Sequence, residues 1–426
     1  LLVVLDTFEQ VLAAAPAVAT LLAACPKLRL LVTSRVRLGL YGEHEFPVPP
    51  LQLPPDHAAP VGAAPAAVLG QLAEIEAVHL FLERAQAAQP NFALRADNAD
   101  DIACVCRRLD GLPLAIELAA ARVKLLPPRA MVDRLDHRLA LLTGGPRDLP
   151  ERQRTLRAAI TWSYDLLAPA EQALFRHLGA FVGGCTLDAV EAVLPARDGN
   201  SDALDLLSAL VDHSLVRQQE GDDGQPRFWM LETLLEFARE RLAMQGEEHD
   251  ARWRHADYFL ALAETAERGL QGPAIVTWLD RTEAELQNFR AASLWLATHG
   301  EHDQALRLVG ALWFSFVPRW RVVEGKGLLL PVLAASAGLR LPARAKALFG
   351  AGYLIAQFDE RHEAARPLLT ESLDIAREAG DTAVAGYASL GLGVSIKRGG
   401  DWRKASELYA QAIGLFEGSD DWWGLG

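Results

Sequence analysis

Two short apolar runs near the start of the chain predict neighbouring β-strands. The runs are residues 1–5 (LLVVL) and 28–35 (LRLLVTSR), and each ends in polar residues. Residues 8–24 between them predict a helix, interrupted only by Pro16. Continuous apolar runs are typical of strands buried on both faces, and the strand–helix–strand order implies a parallel pair. Because parallel sheets bind ligands at the carboxyl ends of their strands, the polar residues after each run are candidate site residues.

Helical periodicity dominates the chain from about residue 71. Before that point, residues 44–55 predict one more short strand, and the Pro-, Ala- and Gly-rich residues 54–67 predict a loop. Residues 71–145 predict a helical domain. Residues 146–248 predict amphipathic helices, two β-like segments joined by the turn GDDGQP, and a closing helix, which is the order of a winged-helix domain.

The last part of the chain, residues 249–426, repeats itself. The glycines at Gly350 and Gly352 recur at Gly391 and Gly393, 41 residues later. Small residues at fixed places let paired helices pack closely, as they do in helical solenoids. The predicted fold class is therefore multidomain and mostly α-helical. It combines a truncated α/β part, a helical domain, a winged helix and an α-solenoid of tetratricopeptide-like helix pairs, with limits at 1–70, 71–145, 146–248 and 249–426.

Composition and charge disfavour several classes of protein. The chain has 426 residues, a net charge of −13 and four cysteines. The acidic balance disfavours non-specific nucleic-acid binding, and so few cysteines fit a reducing cytosol better than a disulfide framework. No apolar stretch is long enough to span a bilayer, and the opening at Leu1 inside an apolar run looks like a cut through a larger protein. We therefore expect a cytoplasmic protein with no membrane partner.

The charge of the winged-helix segment bears on DNA binding. Residues 146–246 contain ten arginines, no lysine and sixteen acidic residues. A wing and recognition helix that read DNA normally carry a basic face. We therefore expect this domain to pack internally, and DNA to be contacted only through a domain outside this chain.

Three charged residues at the predicted strand ends are candidates for phosphate chemistry. Asp6 follows the first strand and is a candidate Mg²⁺ ligand, with an acidic first turn and a Thr7–Gln10 capping box as the even alternative. Glu9 is a candidate to polarise a water, although spacing alone favours a solvated glutamate. Arg35 ends the second strand, where a guanidinium reads a terminal phosphate; the alternative, which spacing favours, is a surface ion pair.

One further motif is a candidate for nucleotide binding, and one expected motif is absent. Gly111-Leu112-Pro113-Leu114 is a rigid turn into a predicted helix, which either presents backbone atoms to a planar base or makes a helix–helix corner. No G-x-x-x-x-G-K-[ST] occurs in the chain. Because a phosphate cradle needs a Gly-rich loop and a lysine, an NTPase reading places that loop before Leu1.

Five motifs occur in an order that resembles a known family. They are LLVVLDTFEQ, LLVTSR, GLPLAIELAAARVKLL, RQRTLRAAITWSYDLL and RFWMLETLLEFARERL. In this order they resemble the signal-transducing STAND class of P-loop ATPases. More narrowly, they resemble the bacterial NB-ARC-type predicted ATPases of LuxR-family and AfsR-like regulators, which often carry tetratricopeptide-like repeats. The resemblance covers residues 1–250 and, more loosely, the helical tail.

The resemblance implies roles for the candidate residues. It makes residues 1–70 the C-terminal part of a P-loop nucleotide-binding domain. Asp6 then matches the Walker B acid that supports Mg²⁺, and Arg35 matches the sensor arginine that contacts the terminal phosphate. Gly111 and Pro113 belong to the motif whose proline packs near adenine.

Two positions depart from the family pattern. Thr7 stands where plant-type members have a second acid, which leaves Glu9 as a weak substitute for a catalytic base. Leu231 stands where the family often has a histidine that contacts the ADP phosphate. Since leucine cannot make that contact, the resemblance implies no such latch here.

The resemblance implies an ATP/ADP-dependent signal-transduction switch in a bacterial transcriptional regulator. ADP would hold a closed state, and a protein or small-molecule inducer sensed by the repeats would let ATP replace it and the opened form assemble. The implied enzyme is a slow ATPase in the full-length protein, with this chain inactive alone. The alternatives are a nucleotide-independent repeat scaffold and, least favoured by charge, a DNA-binding winged-helix regulator.

Overall fold

The computed structural model describes residues 1–55, 65–135, 138–142, 155–195, 202–221, 224–419 and 424. The predicted limit between residues 145 and 146, the start of the RQRTLRAAITWSYDLL motif and two residues of the wing turn lie outside the described residues. The chain divides into two compact units. Unit 1 comprises Leu1–Gly179, Arg197–Gln218 and Phe228–Gly246, and unit 2 comprises Ala180–Ala196, Gln219–Arg227 and Glu247–Gly426.

The first two strands pair in parallel in unit 1, as predicted. They are β1 (Leu2–Leu5) and β2 (Arg29–Val32), and Leu2 is in register with Arg29. One face of the pair packs against a small core that includes Phe8 and Val18. The prediction that both faces are buried is wrong. Side chains alternate across a strand, and those on the second face stay exposed in this structure, Leu2 by 61%, Val4 by 57% and Leu31 by 56%.

The segment between the strands is broken at a different place from the one predicted. A 3₁₀ helix (Phe8–Ala14) and α1 (Ala15–Ala24) follow each other, with a non-helical backbone at Val11. Pro16 lies in the first turn of α1, where its missing N–H costs no hydrogen bond. Residues 44–55 form no strand, so that prediction is wrong, and the prolines there cannot donate to a ladder.

The remaining helices account for most of the described chain. In chain order they are α2 (Pro65–Glu74), α3 (Glu76–Ala88), α4 (Ala99–Arg108), α5 (Pro113–Ala120), α6 (Pro128–Val132), α7 (Arg138–Leu141), α8 (Leu156–Asp165), α9 (Pro169–His177), α10 (Leu187–Val193), α11 (Ala203–Asp212), α12 (Glu232–Met244), α13 (Glu248–Leu270), α14 (Ile275–Ala284), α15 (Leu286–Thr298), α16 (His302–Leu312), α17 (Val322–Ala335), α18 (Pro342–Phe358), α19 (Ala365–Ala379), α20 (Thr382–Arg398) and α21 (Trp402–Ser419). The mostly helical fold class is confirmed.

A hairpin between α11 and α12 completes the predicted winged helix. Its strands, β3 (Arg217–Glu220) and β4 (Pro226–Trp229), form the second two-stranded sheet among the described residues. In unit 1, Tyr164 of α8, Phe175 of α9 and Phe237 of α12 make edge-to-face contacts with ring centroids 5.5 to 6.2 Å apart. These aromatic contacts bury the shared face of the three helices. The division between the two units runs through the hairpin.

Close helix packing confirms the repeated helix pairs in unit 2. A Cβ atom added at Gly350 of α18 would lie 2.5 Å from the Cβ of Trp313, and one added at Gly352 would lie 2.6 Å from Leu369 of α19. Leu369 also leaves only 2.7 Å for a Cβ at Gly391 of α20. These distances are too short for any side chain, so the recurring glycines are where neighbouring helices approach each other.

Candidate functional site

The polar ends of β1 and β2 meet through hydrogen bonds. The backbone N–H of Thr33 donates to the carbonyl of Leu5 at 2.9 Å, and the N–H of Phe8 donates to the carbonyl of Thr33 at 3.0 Å. The Thr33 hydroxyl donates to the exposed Asp6 carboxylate, and the Thr7 N–H donates to the Thr33 hydroxyl oxygen at 2.9 Å. Asp6 is therefore oriented by the end of the neighbouring strand.

The residues after Asp6 begin a 3₁₀ helix at Phe8 with the acidic Glu9 in its first turn, as one alternative predicted. Thr7 has a left-handed backbone with φ 56° and makes no side-chain capping hydrogen bond, so the capping-box alternative is wrong. Glu9 is only 9% exposed, and its Oε2 has no hydrogen-bond partner in the described part of the chain. The expectation of a solvated glutamate at this position is therefore wrong.

Arg35 contacts the first helix of the winged-helix segment. Its Nη1 donates to the Ser163 hydroxyl and, at 3.5 Å, to the Ala159 carbonyl. Its guanidinium lies 5.3 Å from the ring centroid of Trp162, a cation–π distance. These three residues belong to α8. Arg35 thus links the end of β2 to α8, a contact that neither sequence alternative predicted.

Gly111 lies against a different part of unit 1. Its φ is +66°, and an added Cβ would lie 2.4 Å from the carbonyl oxygen of Leu51. The Gly111 carbonyl accepts a hydrogen bond from the Leu51 N–H at 3.0 Å. Only glycine fits this close approach between two backbones. Pro113 is exposed in the first turn of α5. The described contacts thus join Asp6 to Thr33 and Gly111 to Leu51, two separate sets of neighbours.

Sequence reasoning missed the residue before Gly111. Asp110 also has a left-handed backbone, with φ 55°, and its carboxyl lies near Glu232 and Thr233 at the start of α12. Its buried Oδ2 has no hydrogen-bond partner among the described residues. Burial raises the pKa of Asp110 to about 6; Arg138 opposes this shift and Glu232 adds to it. The Asp–Gly pair was visible in the sequence as a turn signal, but the partner helix lies more than a hundred residues later.

The donor chemistry at the strand ends fits Mg²⁺ in part. Mg²⁺ is held by one or two carboxylates together with water and phosphate oxygens, and Asp6 beside Thr33 supplies one carboxylate. Among the described residues, no group of three or more His, Cys, Asp or Glu side chains is placed to hold a metal. The residues that would cradle the phosphates, a Gly-rich loop with a lysine, do not occur in this sequence.

Comparison with known proteins supports the winged-helix assignment. Residues 167–243 match the family model of a winged helix-turn-helix domain. The chain is 37% identical, over 437 aligned residues, to a protein of Mycobacterium tuberculosis (strain ATCC 25618 / H37Rv) named as a candidate HTH-type transcriptional regulator. That alignment covers 100% of this chain and 46% of the relative. An uncharacterized protein of the same strain is 36% identical over 250 residues, which cover 58% of each chain.

The chain thus spans about half the length of the curated relatives it matches. It is also similar to the crystal structure of a STAND protein with a tetratricopeptide repeat sensor from Pyrococcus horikoshii, at 13% identity. That match covers 99% of this chain and 63% of the other, with a TM-score of 0.26, which is too low to show a common arrangement. None of the helices in the described ranges combines the length and apolarity needed to cross a bilayer.

Proposed function

We propose that this chain is the switch region of a nucleotide-dependent transcriptional regulator of the NB-ARC-type STAND class found in LuxR-family regulators. In this proposal residues 1–70 complete a nucleotide-binding domain, residues 71–145 and 146–248 are the helical and winged-helix domains, and residues 249–426 sense a protein or small-molecule inducer. The observation that carries the proposal is the hydrogen bond between Thr33 and Asp6 at the ends of adjacent parallel strands, with Arg35 reaching α8 two residues further on.

Asp6 and Thr33 would form the metal-facing edge of the nucleotide site. The Asp6 carboxylate is exposed and would bind Mg²⁺ through water, and the Thr33 hydroxyl holds that carboxylate in place. Bound Mg²⁺ neutralises phosphate charge. Glu9 stays a weak catalytic candidate because its carboxyl is buried, so we propose slow hydrolysis that limits the lifetime of the active state.

Arg35 would report the state of the nucleotide to the winged helix. It now binds a hydroxyl, a carbonyl and an indole on α8. A terminal phosphate is a charged, bidentate acceptor and binds a guanidinium more strongly than a hydroxyl does. ATP would therefore draw Arg35 from α8, whereas ADP would leave the α8 contact intact. A ligand shifts a conformational equilibrium only through such a difference in affinity.

The partners follow from charge and similarity. The similarity to a candidate HTH-type transcriptional regulator supports a role in transcription. The winged-helix segment itself is acidic, so we propose that DNA is bound through a separate domain and that the opened form self-assembles in the cytoplasm. Gly111 and Pro113 would lie near the adenine.

The test is thermal unfolding of the full-length gene product with and without Mg-ADP. A ligand at 100 times its Kd stabilises the native state by about 2.7 kcal/mol. We expect Asp6→Asn to remove the magnesium-dependent part of this gain, and the matched control Glu264→Gln, in an exposed ion pair with Arg307, to keep it. Equal stabilisation of the wild type and Asp6→Asn by Mg-ADP would remove Asp6 from the site.

The isolated chain provides a second test. Because it lacks a phosphate cradle, isothermal titration with ATP is expected to show no saturable heat at micromolar concentrations. A clear micromolar isotherm would contradict this expectation. A full-length protein that gains no stability from either nucleotide would leave the repeat scaffold as the better description.

A further inference from the structure

A partly buried arginine of the wing is paired with a buried carboxylate of the helical repeats. Within unit 2, the Arg227 Nη1 of β4 donates to the Glu285 Oε1 between α14 and α15 at 2.5 Å. The side chains are 16% and 3% exposed. Arg227 Nη2 also donates to the carbonyl of Ala284 at 3.2 Å and lies 3.4 and 3.5 Å from the carbonyls of Gly183 and Gly184. The guanidinium therefore gathers three segments that are distant in sequence.

A buried amide extends this pair into a network. The Nδ2 of Asn288, on α15, donates to the Glu285 Oε2 at 2.7 Å and to the Gly184 carbonyl at 2.9 Å. Its Oδ1 accepts the N–H of Val182 at 2.8 Å and lies 3.3 Å from the His255 Nε2. Asn288 is fully buried and His255 is 3% exposed. Both Glu285 oxygens and both polar atoms of the Asn288 amide are thus used.

The low exposure of both side chains separates the Arg227–Glu285 pair from the other ion pairs described in unit 2, in each of which at least one side chain is more exposed. Arg307 and Glu264, for example, form a pair whose side chains are 46% and 40% exposed. Exposed pairs contribute little to stability, whereas a buried pair must recover a large desolvation cost through good geometry. In some proteins a buried pair that is fully hydrogen-bonded instead specifies one arrangement of the segments it joins.

The side chain of Arg227 in the wing is directed toward Glu285. Residues 217–229 contain two basic residues, Arg217 and Arg227, and three acidic ones. Arg227, which a DNA-binding wing would present to a phosphate, is taken up by Glu285. This placement accords with the expectation from charge that the domain packs internally.

We propose that Arg227, Glu285, Asn288 and His255 form a clamp through which the helical repeats hold the part of the wing that belongs to unit 2, so that a change in the repeats reaches these wing residues. The clamp does not depend on nucleotide and goes beyond the proposed switch. A signal sensed by the repeats would act by loosening or keeping this clamp. The same side chains also hold the loop at Val182–Gly184.

Native-state hydrogen exchange on the complete chain tests the clamp. In the wild type we expect the amides of residues 219–227 and those of α15 to open together, with matching protection. Glu285→Gln removes the charge of the pair while keeping its shape, and should speed exchange in residues 219–227 by about tenfold or more, because hydrogen bonds to charged groups are the stronger ones. Protection in α18 and α20 should stay at the wild-type level.

Two further variants keep the outcome decisive. Arg227→Met should release the same residues as Glu285→Gln, and the matched control Glu264→Gln should release none of them. Unchanged exchange of the wing in both clamp variants would overturn the proposal. A loss of protection that spreads equally to α18 and α20 would also overturn it, because the network would then be a general part of the core.

Discussion

Arg35 in unit 1 and Arg227 in unit 2 have the same side-chain chemistry but opposite surroundings. Arg35 holds a hydroxyl, a carbonyl and the face of an indole on α8. Arg227 holds a carboxylate that is almost completely buried. A neutral partner can be exchanged for a better acceptor at modest cost, whereas a buried charge left alone is heavily penalised. The comparison indicates that the contact between Arg35 and α8 can be exchanged for another, whereas the pair of Arg227 and Glu285 is retained.

The two units also differ in the direction in which burial shifts the pKa of a titratable group. Burial raises the pKa of Asp110 in unit 1 to about 6 and lowers the pKa of His255 in unit 2 to about 4. Burial favours the neutral form in both cases. Because the neutral form is the protonated one for an acid and the deprotonated one for a base, the two units should respond to acid in opposite directions.

The largest expected effect comes from breaking the buried pair. Glu285→Ala leaves the partly buried Arg227 without its carboxylate, and removing one member of a buried pair costs about 3–5 kcal/mol. Glu264→Ala, in the exposed pair, should cost about 1 kcal/mol or less. The measurement is the exchange free energy of core amides in α13 and α15. Equal losses of stability in the two variants would show that the buried pair and the exposed pair do not differ.

The next effect is the acid sensitivity of unit 2. His255 has a folded pKa of about 4 against an ordinary value of 6.5, so the unfolded state binds more protons between these values. Stability therefore falls as the pH is lowered from 6.5 to 4, by about 3 kcal/mol in all. His255→Gln should flatten this dependence, as followed by exchange of α15 amides across that range. A steep dependence of stability on pH in the variant would show that other titratable groups cause it.

Unit 1 should show the opposite slope at Asp110. Its folded pKa of about 6 lies above the ordinary 3.8, so the native state binds more protons between these values and loses stability as the pH rises through them. Asp110→Asn should therefore stabilise α12 by about 3 kcal/mol at pH 7 and change little at pH 3.5. Hydrogen exchange of α12 at both pH values measures this. Destabilisation at pH 7 would show that the ionised carboxylate is needed at the start of α12.

The smallest effect is expected at the exchangeable contact. Ser163→Ala removes a neutral partner of Arg35, and a hydrogen bond of this kind contributes about 1 kcal/mol. The readout is exchange protection in α8, with Ser293→Ala on α15 as a matched control for the removal of a buried serine. A loss of stability above about 3 kcal/mol would be as large as that expected for a buried charge pair, and would contradict a difference between the Arg35 contact and the Arg227 pair.

Local pattern predicted much of the fold but few of the site contacts. The parallel strand pair, the hairpin before α12 and the recurring glycines of α18 and α20 were all predicted, because each depends on spacing within a few dozen residues. The strand over residues 44–55 was wrong, since its prolines prevent a ladder. The domain limits and the roles of Asp6, Glu9, Arg35, Gly111 and Pro113 stay predictions.

The amino-acid sequence by itself determined most of the elements, their order and the acidic winged-helix segment, because periodicity, turn residues and charge are local properties. Only the tertiary structure decided that Arg35 contacts α8, that Asp110 lies near the start of α12 and that Arg227 pairs with the buried Glu285. These contacts join residues that lie 58 to 128 positions apart in the sequence. Such partners depend on how faces pack, and no pattern of neighbouring residues encodes that pairing.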